Sequence, residues 1–368
     1  MTMFASIQDL VQTTPGWIAS DGTAGEVILS SRARLARNLT ALPFVHRTKK
    51  SDLVRIINKV ETAVRASATL PHALFFSMPE MSALDRQFLV ERRLISPALA
   101  EERKECGVFV SPAETAGVMV NEEDHLRIQT IQAGLHLEAV WRAVDRIDTE
   151  LSHSLDFAFS NDFGYLTACP TNVGTGLRVS VLIHLPGLVL TKNIEPLVRG
   201  ITQVGLTVRG LYGEGTEALG NLFQISNQRT LGRSEEEIVT TMDRIVRQLI
   251  QHERRACEAV LHEAPSQVED RVWRAYGVLQ YARVLTAHDA VNALSSVRLG
   301  VSLGIIATID IPTLNRLVVV TQSAHVQKLT GRALEGDAQE IARADVVRGL
   351  LTPSRTPPVR RANDRSNP

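Results

Sequence analysis

Residue 234 marks a change in the period of the apolar residues, and this limits the fold more than any other feature of the chain. From there to 351 the sequence reads as helix almost without interruption. SEEEIVTTMDRIVRQLIQHERRACEAVLHE (234–263) opens with Ser234 and Glu237 in capping-box spacing and continues at helical period. Helical patterns follow at 267–284, 287–300, 312–330 and 337–351. Before residue 234 the two periods are mixed. SDLVRIINKVETAVRASATL (51–70) predicts a helix with Ser51 or Asp52 as its cap, 80–93 a second, and 134–151 a third. Short apolar runs from 106 to 133 predict strands, DFAFSNDFGYLTA a hairpin, and RVSVLIHLP and LTVRGLYG further strands around a helix near 194–204. Strands and helices do not alternate strictly, so an α+β fold is expected rather than a doubly wound parallel sheet. The expected division is an α+β domain over 1–235, a smaller all-helical domain over 236–351, and a disordered Pro/Arg/Asn-rich tail over 352–368.

Lys+Arg and Asp+Glu both number 40. With no net field to draw the chain to nucleic acid or a membrane surface, any anion site has to be built locally. Three scattered cysteines make neither a disulfide framework nor a zinc site. No signal peptide and no bilayer-length apolar run is visible, so a cytoplasmic setting is expected.

The chain lacks both the G-x-x-x-x-G-K-[ST] loop and a G-x-G-x-x-G after a strand. Phosphate binding would then fall to guanidinium groups, which grip phosphate oxygens in pairs. Arg32, Arg34, Arg127, Arg178 and Arg209 each lie beside a run that reads as strand, although any one of them alone is by default a solvated surface residue. In VMVNEEDHLRIQTIQ (118–132) three acids, Glu122, Glu123 and Asp124, interrupt a strand pattern. The ordinary reading is a charged turn; a catalytic reading needs a carboxylate near a nucleophile, and Glu214 in a Gly-rich stretch offers a second. Cys169, in ACPTNVGTG, sits among turn formers rather than core residues. His125 and His184 lack partners at metal-ligand spacing and are read as structural, with no metal site among the side chains.

The blocks SSRARLARN, NEEDHLRIQ, CPTNVGTGLR and RGLYGEGTE, in this order, resemble the guanidino (phosphagen) kinase family and specifically its bacterial branch, the protein-arginine kinases. The resemblance spans residue 30 to about 230. It implies a glutamine-synthetase-like catalytic domain, an antiparallel sheet flanked by helices, that transfers the γ-phosphoryl of Mg²⁺-bound ATP to arginine side chains of proteins. Arg32, Arg34, Arg127, Arg178 and Arg209 would surround the phosphates. Nucleotide contacts would extend to Ser31, Arg93, Val179, Ser180, Val181, Leu182, Gly210, Leu211, Tyr212, Gly213 and Glu214. Glu123 would grip the substrate guanidinium and take its proton, with Glu214 as partner and Cys169 beside it; Glu122 and Asn172 would complete the substrate side. His125 would support its loop. Because a protonated guanidinium, with a pKa above ~12, is no nucleophile, carboxylates must face it while cations face the phosphates. The acids are therefore expected to point to substrate and Arg127 to turn away, toward ATP.

The family's small-molecule members carry a helical domain before the SSR block, which here begins at residue 30; an open substrate side that admits an arginine on a polypeptide is the expectation. Two departures stand out. Arg93 occupies the position of a histidine that packs near adenine, and QEIARA (339–344) departs from the family's phosphoarginine pocket, keeping Arg343 and Ala344 but placing Gln339 and Glu340 before them. The resemblance further implies an activator protein, an AAA+ protease that receives marked proteins, stress-regulator control and a homodimer. The competing readings are a kinase of a free guanidino compound and a silent phosphoarginine-reading adaptor.

Overall fold

Alternation of apolar and polar residues along the strands decides which face of the sheet is buried. The structure, a computed structural model, describes residues 7–19, 22–210 and 218–351. Its strands are β1 (Ile28–Arg37), β2 (Leu74–Ser77), β3 (Gly107–Val110), β4 (Ala116–Val120), β5 (Leu126–Ala133), β6 (Phe159–Ser160), β7 (Gly164–Tyr165), β8 (Leu177–His184), β9 (Leu206–Gly210) and β10 (Leu222–Asn227). Eight of them form one antiparallel sheet in the order β2-β3-β4-β5-β1-β8-β10-β9, while β6 and β7 make a separate hairpin. The helices before residue 234 are α1 (Ile7–Val11), α2 (Lys50–Ala66), α3 (Ala83–Glu91), α4 (Pro97–Glu101), α5 (Leu137–Ser152), α6 (Pro186–Leu190) and α7 (Ile194–Gln203). Those after it are α8 (Glu235–Glu263), α9 (Pro265–Tyr281), α10 (Ala287–Ser302), α11 (Ile311–Val320), α12 (Ser323–Thr330) and α13 (Gly336–Leu351). This is the expected α+β architecture, an antiparallel sheet with flanking helices followed by a helical region.

Successive strand side chains point to opposite faces. One face carries Ala33, Leu35, Val118, Ile128, Val179, Val181, Phe223 and Ile225, which pack against Ile56 and Val60 of α2, Val140 and Val144 of α5, and Val239, Met242 and Val246 of α8. Truncating a fully buried member such as Ile128 to Ala would cost about 2–5 kcal/mol. The other face is left for polar residues at its centre. At one end of the central strands, Leu29, Leu182 and Leu222 join a second core with Val272, Leu294, Val297, Leu317 and Val347 of the helical region.

The capping box of Ser234 and Glu237 forms as expected. Several helix boundaries differ from the sequence reading, three of them as follows. The first long helix is capped by the backbone of Lys49 with no side-chain bond, not by Ser51 or Asp52, which lie within its first turn. The second is shorter, starting at Ala83 behind a Ser82 cap. The stretch 312–330 is two helices, because the Glu91 carboxylate accepts from Ala324 N (2.8 Å) and His325 N (3.0 Å) and starts α12 afresh. The tail expected over 352–368 lies outside the described residues.

Candidate active site

Register brings the arginines together. On β1, Arg34 is paired with Gln129 of β5 on one side and Arg178 of β8 on the other; Arg32 faces Ser180, and Ala36 faces Arg127. All of these lie on the face opposite the main core. Arg209 of β9, opposite Gln224, joins from the sheet edge. Like charges placed directly opposite in a sheet are destabilising, and Arg34 opposite Arg178 is such a pair. Arg34, Glu123, Arg127, Cys169, Asn172, Arg178 and Arg209 line one cavity of about 380 Å³.

Electrostatics binds in the two arginines outside that lining. Burial, then Arg34, Arg93 and Arg127, push Arg32 well below its ordinary value, against the pull of Glu122. Burial, then Arg127 and Arg178, push Arg34 down to about 9. Arg178 is lowered by burial and then by Arg209 and Arg127. Six guanidinium groups therefore repel one another in one place, Arg93 among them. The Nε atoms of Arg32 and Arg34 are buried without an acceptor among the described residues. A polyanion is the ligand that such a field favours.

The β4–β5 turn supplies the acids. Asn121, at φ 60°, donates its N–H to His125 O (3.0 Å) and closes the turn. Glu123 is about half exposed and stands 3.0 Å from Arg127 Nη2. Glu122 is almost buried; it accepts from Ser96 Oγ and lies 2.5 Å from Arg127 Nη1. Arg127 thus faces both acids instead of turning away from them, since they are its nearest anions. Glu122, expected on the substrate side, is here paired with Arg127 and bonded to Ser96, and is far more enclosed than Glu123.

Cys169 stands in a loop fastened from below. Asp124 accepts from Ala168 N (2.7 Å) and from Asn38 Nδ2 (2.6 Å), and Asn38 also donates to Leu166 O (3.0 Å) and accepts from His125 N (2.9 Å). His125 accepts from Leu39 N through Nδ1 (2.9 Å) and its Nε2 meets Pro43 O (2.9 Å), the supporting position expected of it. Cys169 Sγ is 3.0 Å from Thr171 Oγ1. His184, fully buried, meets Ser295 Oγ at 2.8 Å.

Other expected nucleotide contacts lie elsewhere. Ser31 sits on the core face, where it donates to Gly134 O (2.8 Å) and accepts from His136 N (2.9 Å). Val179 and Val181 are in the main core and Leu182 in the second, with their backbones paired to β1 and β10. The alternation that exposes Arg178 buries Val179 and Val181 in the main core; Ser180 and Leu182 share the arginine face, Leu182 at the end that the second core covers. Gly210 ends β9, and Leu211, Tyr212, Gly213 and Glu214 lie outside the described residues. In the helical region Arg343 is buried, not a helix-surface residue. Its Nε and Nη1 donate to Thr321 O (2.7 Å) and Leu285 O (2.9 Å), and Ala344 is packed in the second core. Gln339 donates to Ser323 O (3.4 Å) and Glu340 O accepts from Leu285 N (3.2 Å). All four residues expected to hold phosphoarginine help tie α13 to its neighbours, Glu340 through its backbone carbonyl.

Two residues of the site were missed in the sequence: Asn38, which with Asp124 fixes the Cys169 loop, and Gln129, whose Oε1 accepts from Arg32 and whose Nε2 donates to Leu94 O (3.0 Å); Asp124, expected among the acids that face substrate, points to that loop. Gln129 was within reach, since it follows Arg127 at strand period.

Residues 55–256 match the family described as ATP:guanido phosphotransferase, C-terminal catalytic domain, and residues 265–362 the family described as protein-arginine kinase McsB C-terminal domain. A protein-arginine kinase of Pelotomaculum thermopropionicum is 47% identical over 335 residues, 90% of this chain and 94% of that protein. One of Halothermothrix orenii is 43% identical over 347 residues, 94% and 99% of the two chains. Among solved structures, the duplicated taurocyamine kinase from Schistosoma mansoni with bound transition state analog components aligns with a TM-score of 0.58 at 26% identity, over 78% of this chain and 44% of that one. Lombricine kinase aligns with a TM-score of 0.55 at 25% identity, over 70% and 74%.

Proposed function

The chain belongs to the ATP:guanido phosphotransferase family, in its protein-arginine kinase branch, and from that premise we propose how its residues transfer phosphate from ATP to arginine side chains of proteins. The carrying observation is the row Arg34–Arg178 with Arg127 and Arg209, facing Glu123 and Cys169 in one cavity. Arg32, Arg34, Arg93, Arg127, Arg178 and Arg209 take the phosphate chain. Glu123, exposed beside them, accepts hydrogen bonds from the incoming guanidinium. One guanidinium nitrogen attacks the γ-phosphorus, the bond from that phosphorus to the β–γ bridging oxygen breaks, and the nitrogen's proton passes to Glu123. The products are a phosphoramidate and ADP. Cys169 and Asn172 line the guanidinium's place.

Mg²⁺ bound together with ATP would supply partial neutralisation of the phosphate charge, held chiefly by the substrate phosphates with at most one or two carboxylates of the protein. Among the described residues no group of three or more His, Cys, Asp or Glu offers a cage of its own. Among the same residues no helix is long and apolar enough to cross a membrane; action in the cytoplasm belongs to the proposal on the strength of family resemblance. The proposed division is a catalytic unit over 1–235 and a helical unit over 236–351, except that α8, expected in the latter, packs on the sheet and is better counted with the former. Exposed Trp273, Val278 and Tyr281 of α9 support a homodimer through the helical unit. An activator protein, delivery of marked proteins to an AAA+ protease and control of stress regulators belong to the same proposal on the strength of family resemblance.

The test is to incubate the protein with Mg·ATP and an arginine-rich protein and to look for acid-labile phosphate on arginine. Glu123→Gln should lower kcat by about 10²–10⁴-fold, as expected for loss of a general base; full activity in that variant would end the assignment.

A further inference from the structure

On the far side of the Cys169 loop, three backbone segments pack without intervening side chains. Gly164, at the tip of the β6–β7 hairpin, lies so close to Gly174 that a Cβ would fall 2.6 Å from Gly174 O. A Cβ on Gly174 would in turn meet Thr230 O at 2.4 Å and Leu231 Cα at 2.9 Å. Both glycines have positive φ, 74° and 109°. Tyr165 and Gly174 exchange backbone hydrogen bonds of 2.8 and 3.3 Å, and Thr230 Oγ1 lies 2.9 Å from Thr171 O and 2.7 Å from Val173 O. Hairpin, site loop and the 228–233 segment are thus one continuous surface ending at Cys169 and Asn172.

That surface is apolar and basic. Phe159 and Phe163 are 58% and 56% exposed and Leu231 is 53% exposed. Behind Leu231, Arg229, Arg233 and Arg244 line a groove of about 810 Å³. The side chains of these three arginines have no carboxylate partner among the described residues. Glu237, which shares the lining, is engaged with Ser234 N at 2.9 Å. The hairpin is held rigid from beneath, with Tyr165 under the Arg37 guanidinium at 3.4 Å and Phe159 edge-on to Tyr165 at 5.2 Å. Exposed aromatics on a rigid mount, rimmed by charge, are what protein-recognition surfaces use.

We propose that this surface docks the polypeptide that presents the target arginine, Phe159, Phe163 and Leu231 taking an apolar side chain and Arg229, Arg233 and Arg244 taking acidic residues beyond it. The inference rests on the kinase reading above and adds a sequence preference to it. Substrate arginines flanked by apolar and acidic residues are favoured through KM, because the contacts are remote from the reacting atoms.

The full chain is assayed with Mg·ATP and two peptides of equal length, each with one arginine and a leucine, one flanked by aspartates and the other by lysines. Expected results are a KM at least ~10-fold lower for the acidic peptide, a KM raised ~10-fold with kcat unchanged in Phe159→Ser/Phe163→Ser, and a reversed preference in Arg229→Glu/Arg233→Glu. Melting temperature and KM for ATP should match wild type in both variants, which change exposed residues only. Equal KM for the two peptides, or variants that leave KM untouched while the wild type phosphorylates arginine, overturns the docking surface and leaves the kinase reading standing. Absence of arginine phosphorylation by the wild type on both peptides and on an arginine-rich protein overturns both.

Discussion

The open face of the sheet and the helical region each bury arginines and treat them in opposite ways. In the helical region Arg298 donates to Gly25 O, to Glu26 O at 3.2 Å and to Asn315 Oδ1 at 2.7 Å, while Arg343 donates to two carbonyls. These guanidinium groups are anchored by neutral oxygens and hold elements together. On the sheet Arg32 and Arg34 keep Nε atoms without acceptors and stand among other cations. Within β1 the contrast spans three residues, since Arg37, on the core face, is 2.8 Å from Asp148 and donates to Thr175 O at 2.9 Å. Burial of arginine is no mark of function; burial among other cations, with donors left without acceptors, is.

Substitutions can break that contrast. Arg34→Met should cost the most, lowering kcat/KM by about 10³-fold through loss of a donor aimed at developing charge. The same change should leave the melting temperature unchanged or raise it, because it removes a repulsion; a clear fall would make Arg34 a structural residue like Arg37. Next, ATP at about 100 times its Kd should stabilise the wild type by about 2.7 kcal/mol, with most of that increment absent in Arg34→Met at the same ATP concentration, as read by thermal denaturation. Arg343→Met should do the reverse, losing about 2 kcal/mol of stability by stranding two buried carbonyls while keeping the full ATP increment. The smallest effect is expected at Asp124→Ala, which frees the Cys169 loop; a fall of about 10-fold in kcat is the size for a displaced catalytic group, with KM for ATP unchanged.

Much of this contrast was readable from the residues. Period two in LRVSVLIH exposed Arg178 and buried Val179, and the same rule separates Arg32 and Arg34 from Ser31. What the chain could not show was register, which alone makes Arg34 and Arg178 opposite partners, separated by 144 positions in sequence. The strand 74–77 escaped notice because LFFS has no alternation, and the break between α11 and α12 because the capping carboxylate, Glu91, comes from 233 residues away. Arg343 misled for a related reason: a motif half kept gives no hint that its guanidinium has been taken over by backbone carbonyls.

Mounting Arg32, Arg34 and Arg178 on two paired strands, β1 and β8, has a consequence for how the chain can fail. A one-residue slip between β1 and β8 would drive Arg34 into the apolar layer beneath and push Leu35 out. No well-packed sheet can therefore exist with its arginine row misaligned, so folded molecules with a scrambled row should be rare, and the usual defective form of this chain should be one that never assembled.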